Sequence, residues 1–150
     1  MTAPAWRVRA LKASDVGAVL AIQRASPEAA VWSEADYELA AGQESYAIVT
    51  EGQGGIGGFL VARAAAEELE ILNMAVQPDL RRQGVASLLL ADALDFGRVS
   101  GATRAFLEVR ESNRGAIAFY EGHGFAVCGR RARYYSQPVE DGLILARALP

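Results

Sequence analysis

The apolar positions of the chain change period several times, and each change marks an element. Trp6, Val8 and Ala10 alternate with Arg7 and Arg9, which predicts a half-buried strand over residues 6–11. Val16, Val19, Leu20 and Gln23 then fall near one helical stripe, with Ser14 as the expected N-cap. That helix should run to about Ala25, before Pro27 interrupts it. Ser33-Glu34-Ala35-Asp36 reads as a capping box opening a second, short helix to about Ala41, ended by Gly42. Residues 46–51 and 56–65 predict a hairpin around Gly52-Gln53-Gly54-Gly55. Residues 69–76 are the next strand, their apolar run over residues 71–76 suited to burial, and Pro78, lacking an N–H for the ladder, closes it.

From Val85 the period becomes helical again, through Leu88, Leu89, Ala93 and Phe96, until Gly101 breaks it. Residues 105–110 are the next strand. A helix between two such strands implies that they pair in parallel through a crossover. Ser112-Asn113 starts another helix with Ala116, Ile117, Phe119 and Tyr120 apolar, and Gly122 and Gly124 end it. Residues 125–135 and 143–149 are the last two strands, expected to be antiparallel. The order is β-α-α-β-β-β-α-β-α-β-β. This is an α/β (α+β) chain, with a mixed, mostly antiparallel sheet flanked by helices on both faces.

Composition narrows the function classes. A chain of 150 residues is expected to be one domain, residues 1–150, and to bury roughly 70% of its unfolded surface. A formal net charge of −3 does not suggest a nucleic-acid partner. The single cysteine, Cys128, excludes an internal disulfide framework and a cysteine-based zinc cluster. One histidine, His123, makes a histidine-rich metal site or a Ser–His–Asp triad unexpected, so no metal is anticipated. Residues 1–12 lack a signal-peptide core and no run approaches about 18 apolar residues, so the expectation is a cytoplasmic protein without a membrane partner.

Three places could carry chemistry. Arg81-Arg82-Gln83-Gly84-Val85-Ala86 joins a strand to a helix. Gly84 and Ala86 let a ligand approach the backbone, and the first N–H groups of the helix sit at the positive end of its dipole. Such a turn suits a pyrophosphate, or is simply a solvated turn with two arginines. It is not a Walker loop, because Val85-Ala86 follows Gly84, and it lacks the three glycines of a dinucleotide fingerprint.

Glu108 is mid-strand, on the side of Phe106 and Arg110. It is either paired with Arg110 or solvated, or it is a general base taking a proton from an ammonium. Tyr120 returns to the helix face of Asn113 and Ile117, about 10 Å along the axis from Asn113. It is either a core tyrosine or a general acid, since a phenol with a pKa near 10 holds its proton at rest.

The spacing Arg81-x-x-Gly84-x-Ala86 resembles the acetyl-CoA loop of the Gcn5-related N-acetyltransferase (GNAT) superfamily. The run Leu107-Glu108-Val109-Arg110-x-Ser112-Asn113-x-x-Ala116-Ile117-x-Phe119-Tyr120-x-x-x-Gly124-Phe125 resembles RimI-type ribosomal-protein-alanine N-acetyltransferases. Asn73-Met74-Ala75-Val76-x-Pro78-x-x-Arg81-Arg82-Gln83-Gly84, Trp32-Ser33 and Arg131-x-Arg133-Tyr134-Tyr135 are similar to the same family. The resemblance is dense from about Asn73 to Tyr135 and thin before it.

The resemblance implies the GNAT fold and transfer of acetyl from acetyl-CoA to a protein α-amino group, with the N-terminal alanine of a ribosomal protein as the expected acceptor. Glu108 would accept the proton and Tyr120 would donate one. Met74, Ala75 and Val76 would hold the pantetheine and acetyl group. Arg81, Arg82, Gln83, Gly84, Val85 and Ala86 would cradle the pyrophosphate, and Asn113 would touch the cofactor. Glu70 is a rival base on the neighbouring strand. Arg131, Arg133, Tyr134 and Tyr135 are candidates for the peptide entrance. His123 is expected to be a surface or capping imidazole, and Cys128 a strand filler. Acetylation of lysine side chains or small amines, and a non-catalytic acetyl-CoA-binding module, are the alternatives.

Overall fold

The computed structural model of the protein describes residues 5–150. The elements follow the expected order: β1 (Arg7–Ala10), α1 (Val16–Arg24), α2 (Glu34–Leu39), β2 (Tyr46–Gly52), β3 (Gly55–Ala65) and β4 (Glu68–Val76), then α3 (Val85–Val99), β5 (Arg104–Arg110), α4 (Arg114–Gly122), β6 (Ala126–Tyr135) and β7 (Glu140–Ala148). The strands form one sheet in the order β1-β2-β3-β4-β5-β7-β6. Among the described residues only β4 and β5 pair in parallel, as the α3 crossover requires; the other neighbours are antiparallel.

Each face of the sheet carries its own core. Leu89, Leu90, Ala93 and Leu94 of α3 recur at helical spacing and pack with Leu60, Leu69, Ile71, Leu107 and Leu145. Tyr120 of α4 joins this cluster. On the opposite face Val16, Val19 and Ile22 of α1, with Tyr37 of α2, cover Val49, Phe59, Val61 and Ala75. Among the described residues, no helix is long and apolar enough to cross a membrane.

Two helix ends differ from the sequence expectation. Ser14 does not cap α1; it lies in a 3-10 turn, Ala13–Asp15, that precedes the helix. Asp15 closes that turn by accepting the Lys12 N–H at 2.8 Å, and Arg9 holds the same carboxylate at 2.8 and 3.0 Å. A charged acceptor gripped by a guanidinium outcompetes a hydroxyl for that role. The Ser33 box forms as expected, with Asp36 N–H donating to Ser33 Oγ and Ser33 N–H to Asp36 Oδ2. Gly42, however, does not stop α2, which continues as a widened π turn over Ala40–Glu44. Ala40 is buried beside Tyr37 in the α1 core, so packing carries the chain past the glycine.

The feature that makes the site is an interruption of the sheet. Between β3 and β4 the register jumps from Ala62↔Ile71 to Val61↔Asn73, leaving Leu72 as a bulge residue. Alternation inverts there. Leu69 and Ile71 face the α3 core before the bulge, and Met74 and Val76 face it afterwards. Pairing of β4 with β5 covers only Glu68↔Arg104, Leu69↔Ala105 and Glu70↔Phe106. Beyond those pairs the two strands part, and a cleft opens between them.

Candidate active site

The opening between β4 and β5 is a cleft of about 440 Å³. Ile71, Leu72, Asn73 and Met74 line one side and Leu107, Glu108, Val109 and Arg110 the other. Every second residue of the parted stretch of β4 turns its backbone N–H and C=O away from β3, toward the space that β5 has left. Those groups need partners, and an extended polar ligand is one source that fits.

A second cleft, of about 660 Å³, adjoins the first and shares Met74, Asn113, Ala116, Glu28 and Ala29 with it. It runs past Ala75, Val76, Arg81, Arg82, Gly84, Ala86 and Ser87. Gly84 is the N-cap of α3 and has φ +81°, in the left-handed region that favours glycine. An added Cβ there would meet no atom within 4 Å, so the space above it is open. The first intrahelical bond of α3 runs from Leu88 N–H to Gly84 O, and the N–H groups of Val85, Ala86 and Ser87 are left for a ligand. The open backbone, the glycine cradle and two arginines fit a diphosphate.

The proposed residues divide by what they present. Gln83 turns away from this cleft, its Nε2 donating to Asp79 O at 3.3 Å. Val85 is 1% exposed and packs in the α3 core, so only its backbone can face a ligand. Asn113 is the N-cap of α4, its Oδ1 accepting the Ala116 N–H at 3.2 Å, and it stands where the two clefts meet.

Glu108 and Tyr120 both line the cleft between the strands. The pairing of Glu108 with Arg110 does not occur. Arg110 bonds Glu140 at 3.0 Å and lies over the Tyr135 ring, while Glu108 Oε1 is 3.3 Å from Arg131 Nε. The β6–β7 hairpin delivers both new partners, so long-range pairing overrides the same-strand neighbour. Glu108 Oε2 is buried with no hydrogen-bond partner among the described residues. Gly142 of β7 makes its room: a Cβ there would stand 3.2 Å from Oε2 and 3.3 Å from the Tyr135 ring.

Tyr120 is buried, packs edge-on against Phe125, and directs its hydroxyl at Met74 Sδ, 3.9 Å away. Burial raises its pKa well above the ordinary phenol value, so the hydroxyl keeps its proton. Burial, and next the Glu108 carboxylate, also raise the Tyr135 hydroxyl. Glu70, the rival base, pairs with Arg63 at 2.6 Å and sits where β4 and β5 are still joined, outside both clefts.

The remaining candidates divide, and one of them reaches the cleft. Tyr135 lines the cleft, whereas Arg133 and Tyr134 do not; the Arg133 N–H donates to Asp141 Oδ1. His123 caps the C-terminal end of α4, and its Nε2 lies 3.1 Å from Ser87 Oγ, tying α4 to the first turn of α3. Cys128 is not a packed filler. It is exposed at a bulge between Val127 and Gly129 of the edge strand β6, with its sulfur 3.6 Å from Arg104. Among the described residues, no group of His, Cys, Asp and Glu is placed to hold a metal ion.

Sequence reasoning missed the α1–α2 loop. Pro27, Glu28, Ala29, Ala30 and Val31 line the cleft beside Glu108. Buried Asn73 fixes this loop, donating to Tyr37 Oη at 3.0 Å and to Ala30 O at 3.4 Å. Tyr37 in turn bonds Gln23, which holds Trp32 through both its backbone N–H and C=O. The capping box at Ser33 marked the loop's end, but nothing local to the loop showed where it would lie.

Comparison with known proteins agrees with this geometry. The model of the acetyltransferase (GNAT) family matches residues 17–125. The chain belongs to that family. It is 31% identical over 141 residues to the [ribosomal protein bS18]-alanine N-acetyltransferase of Escherichia coli strain K12, covering 93% of this chain and 95% of that protein. A crystal structure of the ribosomal-protein-S18-alanine N-acetyltransferase from Escherichia coli has a TM-score of 0.81 at 30% identity, covering 97% of this chain and 94% of that one. PaiA N-acetyltransferase from Thermoplasma acidophilum, solved in complex with coenzyme A, shares the fold at 16% identity, with a TM-score of 0.80 over 96% of this chain and 99% of that one. This GNAT protein is therefore an acetyl-CoA-dependent N-acetyltransferase.

Proposed function

We propose that this GNAT enzyme acetylates the N-terminal α-amino group of a protein, with the N-terminal alanine of a ribosomal protein as the favoured acceptor. Residues 1–150 act as one catalytic domain in this reading. One observation carries it: Glu108 and Tyr120 line the same cleft, which joins the diphosphate-fitting cleft at Met74. The similarity to the bS18-alanine enzyme supports the choice of acceptor. The small side chains of Ala29 and Ala30 beside Glu108 support a small terminal residue.

Acetyl-CoA supplies an activated acetyl group as a thioester. Arg81, Arg82 and the backbone of residues 84–86 would hold its diphosphate, and the free backbone edge of residues 74–76 its pantetheine arm. Glu108 takes the proton from the acceptor ammonium, directly or through water, so that the nitrogen lone pair can attack the acetyl carbonyl. A backbone N–H of β4 stabilises the charge that builds on the carbonyl oxygen. As the C–N bond forms and the C–S bond breaks, Tyr120 gives its proton to the departing sulfur, and the second proton that the nitrogen sheds on becoming an amide restores the phenol, leaving the first on Glu108 for release to solvent. No nucleophile on the protein is needed.

The test is a panel of peptides incubated with acetyl-CoA. Turnover should require a free α-amine and be highest with alanine first. Turnover of α-blocked, lysine-containing peptides instead would replace this acceptor with a lysine side chain. Coenzyme A binding with no amine-dependent thiol release would leave only a binding module.

A further inference from the structure

We propose that Glu28 is an acceptor-binding carboxylate that Arg81 keeps occupied until the cofactor's diphosphate draws the arginine away. This rests on the acetyl-transfer reading above and adds a residue and an order of events to it.

Glu28 and Arg81 are 53 residues apart and meet across the mouth of the clefts, with Arg81 Nη2 donating to Glu28 Oε1 at 2.6 Å. Glu28 lines both the cofactor cleft and the acceptor cleft, whereas Arg81 lines the cofactor cleft and not the acceptor cleft. The arginine of the diphosphate turn therefore holds a residue that the two compartments share. The pair is exposed, at 48% and 39%, and exposed ion pairs are worth little. It is a contact that a stronger ligand can break.

A diphosphate is such a ligand. It bears more charge than one carboxylate, and it can take the guanidinium through two oxygens where Glu28 uses one. The N-terminus of α3 already favours an anion at that place. Once Arg81 turns to it, Glu28 stands unpaired at the edge of the acceptor cleft. The charged residues of that cleft are Glu28, Glu108 and Arg110. Arg110 is committed to Glu140, while Glu108 faces Arg131 through Oε1 and keeps Oε2 for the proton transfer. A released Glu28 is then a second counter-charge for an incoming α-ammonium, at the cleft edge, which it draws toward Glu108. Linkage requires the effect to run both ways: cofactor strengthens acceptor binding, and acceptor strengthens cofactor binding by the same factor.

The test uses the intact protein and the variants Glu28→Gln, Arg81→Gln and their combination, titrated with coenzyme A in a calorimeter. Glu28→Gln removes a competitor for Arg81, so it should bind coenzyme A about two- to fivefold more tightly than the parent. That gain should vanish when Arg81 is already Gln. An unchanged or weakened affinity overturns the proposal. So does an equal gain in the Arg81→Gln background, which would mean simple charge repulsion.

The acceptor is then probed with a peptide beginning in alanine, with and without coenzyme A. The parent should bind it about two- to fivefold more tightly with coenzyme A present. Glu28→Gln should bind it more weakly and show no such coupling; retained coupling overturns the acceptor role. A peptide that binds under neither condition would refute the proposed acceptor and the acceptor role of Glu28 together, while the coenzyme A titrations still decide the exchange at Arg81.

Discussion

Gly142 and Glu108 lie on neighbouring strands, and the absence of a side chain at the first makes room for the carboxylate of the second. A Cβ on residue 142 would stand 3.2 Å from Glu108 Oε2, closer than ordinary contact. Gly142→Ala should therefore push the carboxylate or the Tyr135 ring aside. We expect kcat to fall by about tenfold, while coenzyme A affinity, set in the other cleft, stays within about twofold. Steady-state kinetics beside calorimetry would check this. An unchanged kcat would show that the position of Glu108 does not limit the rate.

Tyr120→Phe removes a proton donor and little else. Among the described residues the hydroxyl makes only a long contact to Met74 Sδ, so stability should fall by no more than about 1 kcal/mol in thermal unfolding. Turnover should fall by about a hundredfold or more, with coenzyme A affinity nearly unchanged. Retained turnover would take the phenol out of the mechanism.

Glu108→Gln should act through the protonation of the acceptor. A peptide α-ammonium has a pKa of about 8, so its deprotonation is most costly near and below neutrality. The variant's deficit should shrink as pH rises above that value, in a kcat/KM profile run beside the parent. A deficit constant with pH would assign Glu108 to positioning instead.

Asp15 gives a stability prediction away from the site. Arg9, by hydrogen bonds and charge, and the Lys12 N–H hold its carboxyl below the ordinary value. A depressed folded-state pKa means that the stabilisation is complete above the unfolded value of about 3.9. It is lost as pH falls through the lower folded value. Asp15→Asn should cost about 1–3 kcal/mol at pH 7. The gap between variant and parent should close in strong acid. Urea unfolding of both proteins across pH would measure it, and a gap that persists in acid would exclude the ion pair as its source.

The elements were legible because their signals are local. The helical stripe of α3, the Ser33 box and the glycines between β2 and β3 depend on residues a few positions apart, and each forms where expected. Local signals failed where a distant residue competed. Arg9 recruits Asp15 and displaces Ser14 from the cap, and the β6–β7 hairpin gives Arg131 to Glu108 and Glu140 to Arg110. Cys128 looked like a filler because strands bury small apolar side chains, yet β6 is an edge strand with a bulge at that residue.

From the sequence alone came the order of the elements, the parallel crossover through α3, the anion-fitting turn at Arg81–Ala86 and the candidacy of Glu108 and Tyr120. Periodicity, caps and motif spacing suffice for these, since each is written within one short stretch. Only the tertiary structure decided that Leu72 bulges, that β4 and β5 part after Glu70, and that Glu28 reaches Arg81. Such features arise when the register of one strand meets that of another, or when a loop is set down by contacts dozens of residues away. No window of neighbouring residues contains that information.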